Sequence, residues 1–419
     1  MVIPFGMLIA GAQQPTTINL GNDASGNPLR RAIKTGHVSN YDETKVRPYT
    51  LPDPLVLSDG KPVRDAKTWQ EKRRPEILRH YENDIYGRIP ANAPRVTWRV
   101  AETDAHARDG AATLKRLAGT IGDAADAPVI NVKLYTPANA HAPVPVILLV
   151  NFGGGPNPPA GRAGAPPPSG DPPVAAEILA KGWGYATVGY QDIQPDRADA
   201  WSSGVIGVTL AKSGAAKPAP DEWGTISAWS WGVSRIVDYF ESDKAVNAKR
   251  IALFGHSRLG KTALWASALD TRIAVAYSSC AGEMGSALAR RDWGETVDDM
   301  AQNFAWQFAG NFQQWVGRWN EMPVDAHMLI ALSAPRPVFI TGGTTDQWAD
   351  PVGEFLSEVA AGPVYRLLGR KDLGVTKVPP LDSPVTGGDL GYHYHTGGHA
   401  ATPADWSAFL QFLAKYFVS

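Results

Sequence analysis

A buried strand that breaks into a tight turn and then a helix constrains this chain more than any other segment. Residues 251–261 read IALFGHSRLGK, in which an apolar run ends at Gly255 and a turn carries Ser257. A serine hydroxyl is a good nucleophile only when a base removes its proton, so it must stand on an exposed turn that a distant histidine can reach. The segment therefore predicts a nucleophile elbow with Ser257 at its tip. The usual pattern has its second glycine where this chain has Leu259, and glycine follows one residue later, at Gly260.

Strand-like and helix-like segments alternate through most of the chain. This alternation predicts an α/β class protein, a three-layer sandwich with a mostly parallel central sheet and helices on both faces. A nucleophile elbow in such a sheet is typical of the α/β-hydrolase fold. The predicted strands are 95–101, 112–119, 128–136, 144–150, 185–190, the elbow strand from 251, 273–279, 337–340 and 364–368. The predicted helices are 69–86, 175–180, 229–241, the elbow helix and 405–416, with an aromatic-rich helical insertion at 293–334.

The chain divides into a lead-in and one catalytic domain. Residues 13–65 are polar and turn-rich, with no clear periodicity. We therefore predict an extended N-terminal lead-in at 1–65 that wraps the body, and a single α/β-hydrolase domain at 66–419. The apolar run at 1–12 ends in small residues, like a signal-peptide remnant that lacks its basic segment, and it favours a secreted or periplasmic location.

Composition and charge exclude several classes of partner. The chain has 40 basic and 41 acidic residues and a net charge of −1, so no global field draws it to nucleic acid or anionic lipid. No segment approaches the ~18 consecutive apolar residues that span a bilayer, which excludes an integral membrane protein. The only cysteine, Cys280, excludes an intramolecular disulfide but leaves the redox compartment open. We further expect a monomer.

A serine, an acid and a histidine follow one another in the chain order of α/β-hydrolase triads. Asp346 comes soon after the predicted strand 337–340, where an acid must stand to hold the imidazole. Its rival is Asp350, and an isolated aspartate at such a place is often only a turn former. His399 lies past two glycines near the C-terminus, in the more flexible loop, and is the predicted base.

Two further histidines precede His399. His393 and His395 would share one face of an extended segment. Three histidines can bind a metal, but no acidic residue stands among them and an activated serine already accounts for a base. We therefore favour packing or orientation roles for His393 and His395, and predict no metal and no organic cofactor.

Several motifs together resemble those of bacterial glucuronoyl esterases. They are the elbow GHSRLGK at 255–261, the loop DQWADP at 346–351, the ending GGH at 397–399, WGE at 293–295 and YGRIP at 86–90. The resemblance covers most of the chain after the lead-in. Members of this family are α/β-hydrolase-fold serine esterases that cleave esters between glucuronic acid of xylan and alcohols of lignin. The resemblance thus implies a glucuronoyl esterase (4-O-methyl-glucuronoyl methylesterase) that acts on glucuronoxylan or lignin–carbohydrate esters.

Carried over position by position, the resemblance implies a triad of Ser257, His399 and Asp346 that works through an acyl-enzyme intermediate. Arg258, directly after the serine, would stabilise the oxyanion with its backbone N–H and its guanidinium. The second oxyanion donor is expected from the backbone near 152–153, at the start of a loop rich in proline and glycine.

The same resemblance implies a pocket for the uronate. Lys261, one helical turn beyond the serine, and Glu295 would bind sugar hydroxyls, and Trp348 would give the sugar a flat face. Taken singly, these residues would be a solvated helix residue, a surface charge and a core aromatic, but beside the elbow they indicate one pocket. On the alcohol side of the ester we expect a less specific, aromatic surface, for which Trp306, Trp315 and Trp319 are candidates.

Fungal members depart from this chain at two places. They have a cysteine before the serine, and they take their acid, a glutamate, from the loop after the next strand. Here those places hold His256 and Cys280. The acid role therefore passes to Asp346, with Glu283 as a substitute.

Two other functions stay open. An acetyl xylan esterase or another carbohydrate deacetylase shares the triad and the fold but needs only a small acyl pocket, and Lys261 and Glu295 argue against it. A non-catalytic hydrolase-fold binding protein is a different class, because fold does not fix function. That class predicts a broken triad, whereas every triad member has a candidate here.

Overall fold

Nine strands form one sheet in the computed structural model, which describes residues 14–153 and 170–418, and two more form a separate hairpin. In chain order the strands are β1 (Thr17–Asn22), β2 (Pro28–Ala32), β3 (Val96–Ala107), β4 (Ala112–Ile121), β5 (Val129–Pro137), β6 (Val144–Asn151), β7 (Gly184–Gly189), β8 (Val246–His256), β9 (Ile273–Ser279), β10 (Val338–Gly343) and β11 (Leu390–His395). The order across the large sheet is β11-β10-β9-β8-β6-β7-β5-β4-β3. The six strands from β11 to β7 are parallel, and β5, β4 and β3 continue the sheet antiparallel.

Helices follow most of the parallel strands. They are α1 (Ala66–Thr68), α2 (Arg74–His80), α3 (Ala175–Ala180), α4 (Tyr190–Ile193), α5 (Gly204–Ser213), α6 (Thr225–Ser242), α7 (Arg258–Leu269), α8 (Val297–Asn303), α9 (Ala326–Ala331), α10 (Pro351–Leu367) and α11 (Pro403–Leu413). Within the described ranges, no helix combines the length and the apolarity that crossing a lipid bilayer requires.

The sheet is buried on both faces. In β8, Ile251 and Leu253 point into one apolar cluster, while Ala252 and Phe254 point into the other. Helices α6 and α7 contribute to the first cluster, and α3 and α11 contribute to the second. A strand of this kind has an almost continuous apolar sequence, because the side chains on both of its faces are shielded from water. The predicted three-layer α/β-hydrolase fold is confirmed.

The predicted helix at 69–86 is part of a longer helical segment. It begins with α1, continues through a π-helical turn at Trp69–Arg73 and α2, and ends with a second π-helical turn at Tyr81–Ile85. The chain then turns at Gly87, where φ is 89° and a Cβ atom would lie 2.2 Å from the carbonyl oxygen of Glu222. Only glycine fits this turn.

One predicted strand is wrong. Residues 364–368 lie at the end of α10 and in its cap, not in the sheet. The helix passes through Pro363 and includes this short apolar run, because Glu358, Ala361 and Tyr365 lie on one helical face that is buried. The last strand is instead β11, the extended histidine segment. Helix α5 was not predicted.

The lead-in contains a hairpin that the sequence pattern did not predict. Strands β1 and β2 pair antiparallel, but β1 is mostly exposed and β2 mostly half-buried, so they lack the alternation that marks a strand. Several contacts join the lead-in to the insertion and to the residues just before it. The Thr16 hydroxyl donates to the Asp298 carbonyl at 2.6 Å, and Glu43 pairs with Arg291 at 2.5 Å.

Candidate active site

Ser257 stands on a strained turn between β8 and α7. Its φ of 58° and ψ of −128° are rare for a residue with a side chain and cost about 1–3 kcal/mol. A Cβ atom at Gly255 would lie 1.8 Å from the Leu259 carbonyl oxygen, so glycine is required there. A Cβ atom at Gly260 would lie 2.9 Å from Ser278 Oγ. The close approach that needs the second glycine therefore occurs at residue 260, which explains the shifted pattern.

His399 and Asp346 form a hydrogen-bonded pair at the same edge of the sheet. His399 Nδ1 lies 2.6 Å from Asp346 Oδ2. Their loops follow β11 and β10, which are neighbouring parallel strands with Gly343 opposite His395. The Thr345 amide donates to the Gly397 carbonyl at 2.8 Å, which ties the two loops together. Asp346 is buried, while the His399 side chain is 30% exposed and open to the site.

The two rival acids have other partners. Asp350 accepts a hydrogen bond from the Gly353 amide at 2.9 Å and pairs with Arg291 Nε at 2.9 Å, so it caps α10. Burial raises the pKa of Asp350 to about 6. Glu283 is buried, its Oε1 has no hydrogen-bond partner among the described residues, and burial raises its pKa well above the usual range. A carboxyl group held neutral in this way is a poor partner for an imidazolium.

Cys280 follows β9 and lies beside the histidine–aspartate pair. Its sulfur, a carboxylate oxygen of Asp346 and a ring nitrogen of His399 all lie within 4.8 Å of one another. This is the place where the resemblance puts the glutamate of fungal members. Three such atoms have the spacing of a metal site, but burial raises the pKa of the Cys280 thiol well above its usual range, and a thiol must be deprotonated to bind metal.

His256 packs against the ring of His399, with centroids 4.6 Å apart. Its Nδ1 lies 3.1 Å from Ser279 Oγ. Burial lowers the pKa of His256 far below its usual range, and the neighbouring His399 lowers it further. His256 is therefore neutral and adds no positive charge beside His399.

His393 and His395, in β11, precede the loop that carries His399 and are held by one carboxylate. Their Nδ1 atoms lie 2.7 Å and 3.1 Å from one oxygen of Asp405. Asp405 also accepts a hydrogen bond from the Thr402 amide, at the start of α11. Despite burial, the two histidines hold the pKa of Asp405 down to about 2. These contacts fit the expected orientation role.

Arg258 is held by an acid that sequence reasoning missed. Its Nη1 donates to Asp196, which also accepts from Trp306 Nε1 at 2.7 Å and Gln307 Nε2 at 2.8 Å. The guanidinium lies over the ring of Phe304, 5.1 Å from its centroid. Asp196 lies in the polar loop that follows β7 and the short helix α4, and polar residues that follow parallel strands gather at one edge of the sheet. That placement could have identified it.

The predicted uronate-binding residues lie together. Lys261 is 5% exposed, and its Nζ donates to the Ala281 carbonyl at 2.6 Å. Burial lowers the pKa of Lys261, and nearby Glu295 opposes this shift. Burial also raises the pKa of Glu295 to about 7, against the influence of Lys261, the Trp348 indole and His399. The Glu295 amide donates to the Trp348 carbonyl at 3.0 Å.

Two of the three tryptophans that were expected to form an aromatic surface for the alcohol are not available to do so. Trp315 and Trp319 are buried in the apolar core, because the insertion folds its aromatic residues inward. Trp319 Nε1 donates to Asp292. Trp306 is half-buried at Asp196 and is the one of the three that lies near the elbow.

At the place where the second oxyanion donor was expected, the backbone amide of Gly153 already has a hydrogen-bond acceptor. The Gly153 amide donates to Asn151 Oδ1 at 3.1 Å. The ring of Phe152 packs edge-on against Tyr190 and His256, with centroids 5.5 Å and 6.4 Å apart. The rest of this loop up to residue 169 lies outside the described residues.

Comparisons with known proteins show which family this chain resembles. A family model described as glucuronyl esterase of fungi matches residues 218–369. A carbohydrate esterase, MZ0003, from an unknown prokaryotic organism is 40% identical over 396 residues, which are 89% of this chain and 91% of that relative. A solved glucuronoyl esterase from Solibacter usitatus is 41% identical with a TM-score of 0.81, over 88% of this chain and 98% of that chain.

A second solved structure is a promiscuous CE15 esterase from a marine bacterial metagenome. It is 38% identical with a TM-score of 0.79, over 91% of this chain and 100% of that chain. Identity at this level over nearly the whole of both chains identifies the family. This chain therefore belongs to the glucuronoyl esterases of carbohydrate esterase family 15.

Proposed function

We propose that the protein is a serine esterase that hydrolyses ester bonds between (4-O-methyl-)glucuronic acid of glucuronoxylan and lignin alcohols. The observation that carries this proposal is the His399–Asp346 pair, 2.6 Å apart, on loops at the same sheet edge as the strained Ser257. Buried Lys261 and Glu295 beside this edge supply the specificity for a uronate.

Ser257 is the nucleophile and His399 the base. Because Nδ1 of His399 is bound to Asp346, Nε2 is the nitrogen left to take the serine proton. Ser257 Oγ attacks the uronoyl carbonyl carbon, and the alcohol leaves with the proton that His399 has taken. Water, activated by the same histidine, then releases the acid from the acyl-enzyme. Asp346 holds the ring and stabilises its positive charge.

The oxyanion forms at the N-terminus of α7. The amides of Arg258 and Leu259 lie in the first helical turn, where no intrahelical carbonyl can accept from them. They can donate to the tetrahedral oxygen, and the helix dipole favours negative charge at that end. Asp196 fixes the guanidinium of Arg258 at this position, although its charge also offsets part of the positive charge of Arg258.

The acyl pocket favours a uronate over an acetyl group. A buried ammonium and a buried carboxyl group are costly unless a ligand or a partner satisfies them. In our proposal Lys261 and Glu295 bind the ring hydroxyls of the sugar, and Trp348 lies along it. An acetyl xylan esterase would leave these groups without a substrate partner, so the deacetylase is the weaker alternative.

We also propose that the protein is secreted or periplasmic and monomeric. The apolar run at 1–12 supports export, and a polymeric plant substrate lies outside the cell. No metal or organic cofactor takes part in the proposed reaction, because His399 carries every proton transfer and Asp346 stabilises its positive charge.

Hydrolysis of benzyl glucuronate beside an aryl acetate tests the proposal, with the wild type and Ser257→Ala in parallel. We expect the wild type to prefer the glucuronate and the variant to lose activity on both esters. A preference for the acetate would indicate the deacetylase instead. No activity on either ester would contradict the proposal and favour a binding role.

A further inference from the structure

The hairpin of the lead-in reaches the proposed sugar platform. Arg30, on β2, places its guanidinium carbon 5.9 Å from the centroid of the Trp348 ring. This spacing is typical of a cation–π contact. Arg30 thus covers one face of Trp348 and leaves only the opposite face for a sugar.

The hairpin holds Arg30 in place but leaves part of its guanidinium free. Nη1 donates to Asn19 Oδ1 at 2.6 Å and to the Leu29 carbonyl at 3.0 Å, and it lies 3.5 Å from the Gly21 carbonyl. Asn19 is directly opposite Arg30 in the pairing of β1 with β2. Within residues 14–153 and 170–418, Nε and Nη2 have no acceptor. A fixed planar group with free N–H donors is suited to bind hydroxyl oxygens.

The lead-in is anchored to the segment that carries Glu295. The Gly294 amide donates to the Asn40 carbonyl at 3.0 Å, and the ring of Tyr41 packs edge-on against Trp293, with centroids 6.3 Å apart. The Tyr41 hydroxyl donates to the carbonyl of Pro28, the first residue of β2, at 2.5 Å. The hairpin therefore has a fixed position beside the proposed uronate pocket.

Burial decreases from the pocket toward the hairpin. Lys261 and Glu295 are buried, whereas Trp348 and Arg30 are half-buried. A uronate bound at the buried end leaves its attached saccharide near the half-buried end. We propose that the hairpin β1–β2 forms an outer subsite for the xylose units that carry the uronate, with Arg30 as its hydrogen-bond donor. This inference rests on the proposed function.

Substitution of Arg30 tests the subsite on two substrates. They are a methyl ester of 4-O-methylglucuronate alone and the same ester linked to a xylo-oligosaccharide. For Arg30→Ala we expect KM to rise about tenfold on the linked ester and less than about twofold on the free one, since one good hydrogen-bonded contact is lost. Arg30→Lys keeps the charge but loses the planar donors, so it should behave like the alanine variant.

Arg31→Ala is the matched control. It removes the same charge from the same strand, but Arg31 is exposed and paired with Ile18 on the other hairpin face, so neither KM should change. Melting temperatures of all variants report whether the hairpin stays attached. Equal rises in KM on both esters would show that Arg30 only supports Trp348. Unchanged KM values on both esters would show that the xylose units bind elsewhere. Either result would refute the proposed subsite.

A binding measurement separates failure of the subsite from failure of the proposed reaction. In the Ser257→Ala background, the uronic acid linked to a xylo-oligosaccharide should bind about tenfold more weakly after Arg30→Ala. If wild-type protein hydrolyses neither ester but this difference persists, the reaction is refuted and the subsite stands. If hydrolysis occurs and the difference is absent, the subsite is refuted alone.

Discussion

Replacement of Asp346 by asparagine removes one negative charge beside His399 and changes little else in shape. In the proposed transition state the imidazole of His399 carries a positive charge, held by the oxygen 2.6 Å from Nδ1. Two unit charges about 4 Å apart at an effective dielectric constant of about 20 attract by about 4 kcal/mol. Loss of that attraction lowers kcat about 10³-fold, and asparagine can also reverse the tautomer of the ring, which brings the loss to about 10⁴-fold.

Asp350→Asn is the control, because Asp350 is the same residue type in the same loop. It caps α10 and pairs with buried Arg291, so its loss should destabilise the fold by about 3 kcal/mol while kcat stays within about tenfold of wild type. The assay is kcat on benzyl glucuronate together with the free energy of unfolding. The reasoning is refuted if Asp346→Asn keeps kcat within tenfold, or if Asp350→Asn loses more activity than Asp346→Asn. A large loss only in Glu283→Gln would move the acid to Glu283.

Three other changes test separate parts of the site. Lys261→Met, which keeps the volume, should lower kcat/KM at least tenfold more on a glucuronate ester than on an aryl acetate, and equal losses would refute the proposed role in sugar binding. Burial raises the pKa of Glu295 from 4.5 to about 7, so the folded protein binds this proton more tightly than the unfolded chain and its stability falls as pH rises between those values. Glu295→Gln removes this titration. The free energy of unfolding of the variant minus that of wild type should therefore increase by up to about 3 kcal/mol from pH 4 to pH 8. A difference that stays constant with pH in denaturation experiments would contradict the raised pKa. Gly260→Ala should cost about 1–3 kcal/mol because its Cβ atom would lie 2.9 Å from Ser278 Oγ, whereas Gly387→Ala meets nothing within 4 Å and should be neutral by thermal unfolding.

Local patterns predicted the elements whose neighbours lie close in sequence. The elbow needs only β8, a turn and α7, so Gly255 and Ser257 identify it. Asp346 and His399 could be proposed because each follows a parallel strand, and the loops after such strands meet at one edge. The structure brings these two side chains together as expected.

Contacts between distant segments could not be predicted. Asp196 is 62 positions from Arg258, and no local pattern says which of several polar loop residues will reach the guanidinium. The strands of the hairpin show no alternation of buried and exposed residues, so the contact between Arg30 and Trp348 has no sequence signal. The wrong strand at 364–368 has a related cause, because a short apolar run fits a buried strand as well as the buried face of a helix.

The carboxylate of Asp196 joins two parts of the enzyme that would otherwise be free to evolve separately. One oxygen accepts from Trp306 and Gln307 in the insertion, and the other accepts from Arg258 in the elbow helix. A relative that exchanges its insertion without keeping an indole and an amide at these places would leave a nearly buried carboxylate short of donors. Chimeras designed to alter alcohol preference should therefore transfer residue 196 and the insertion as one unit.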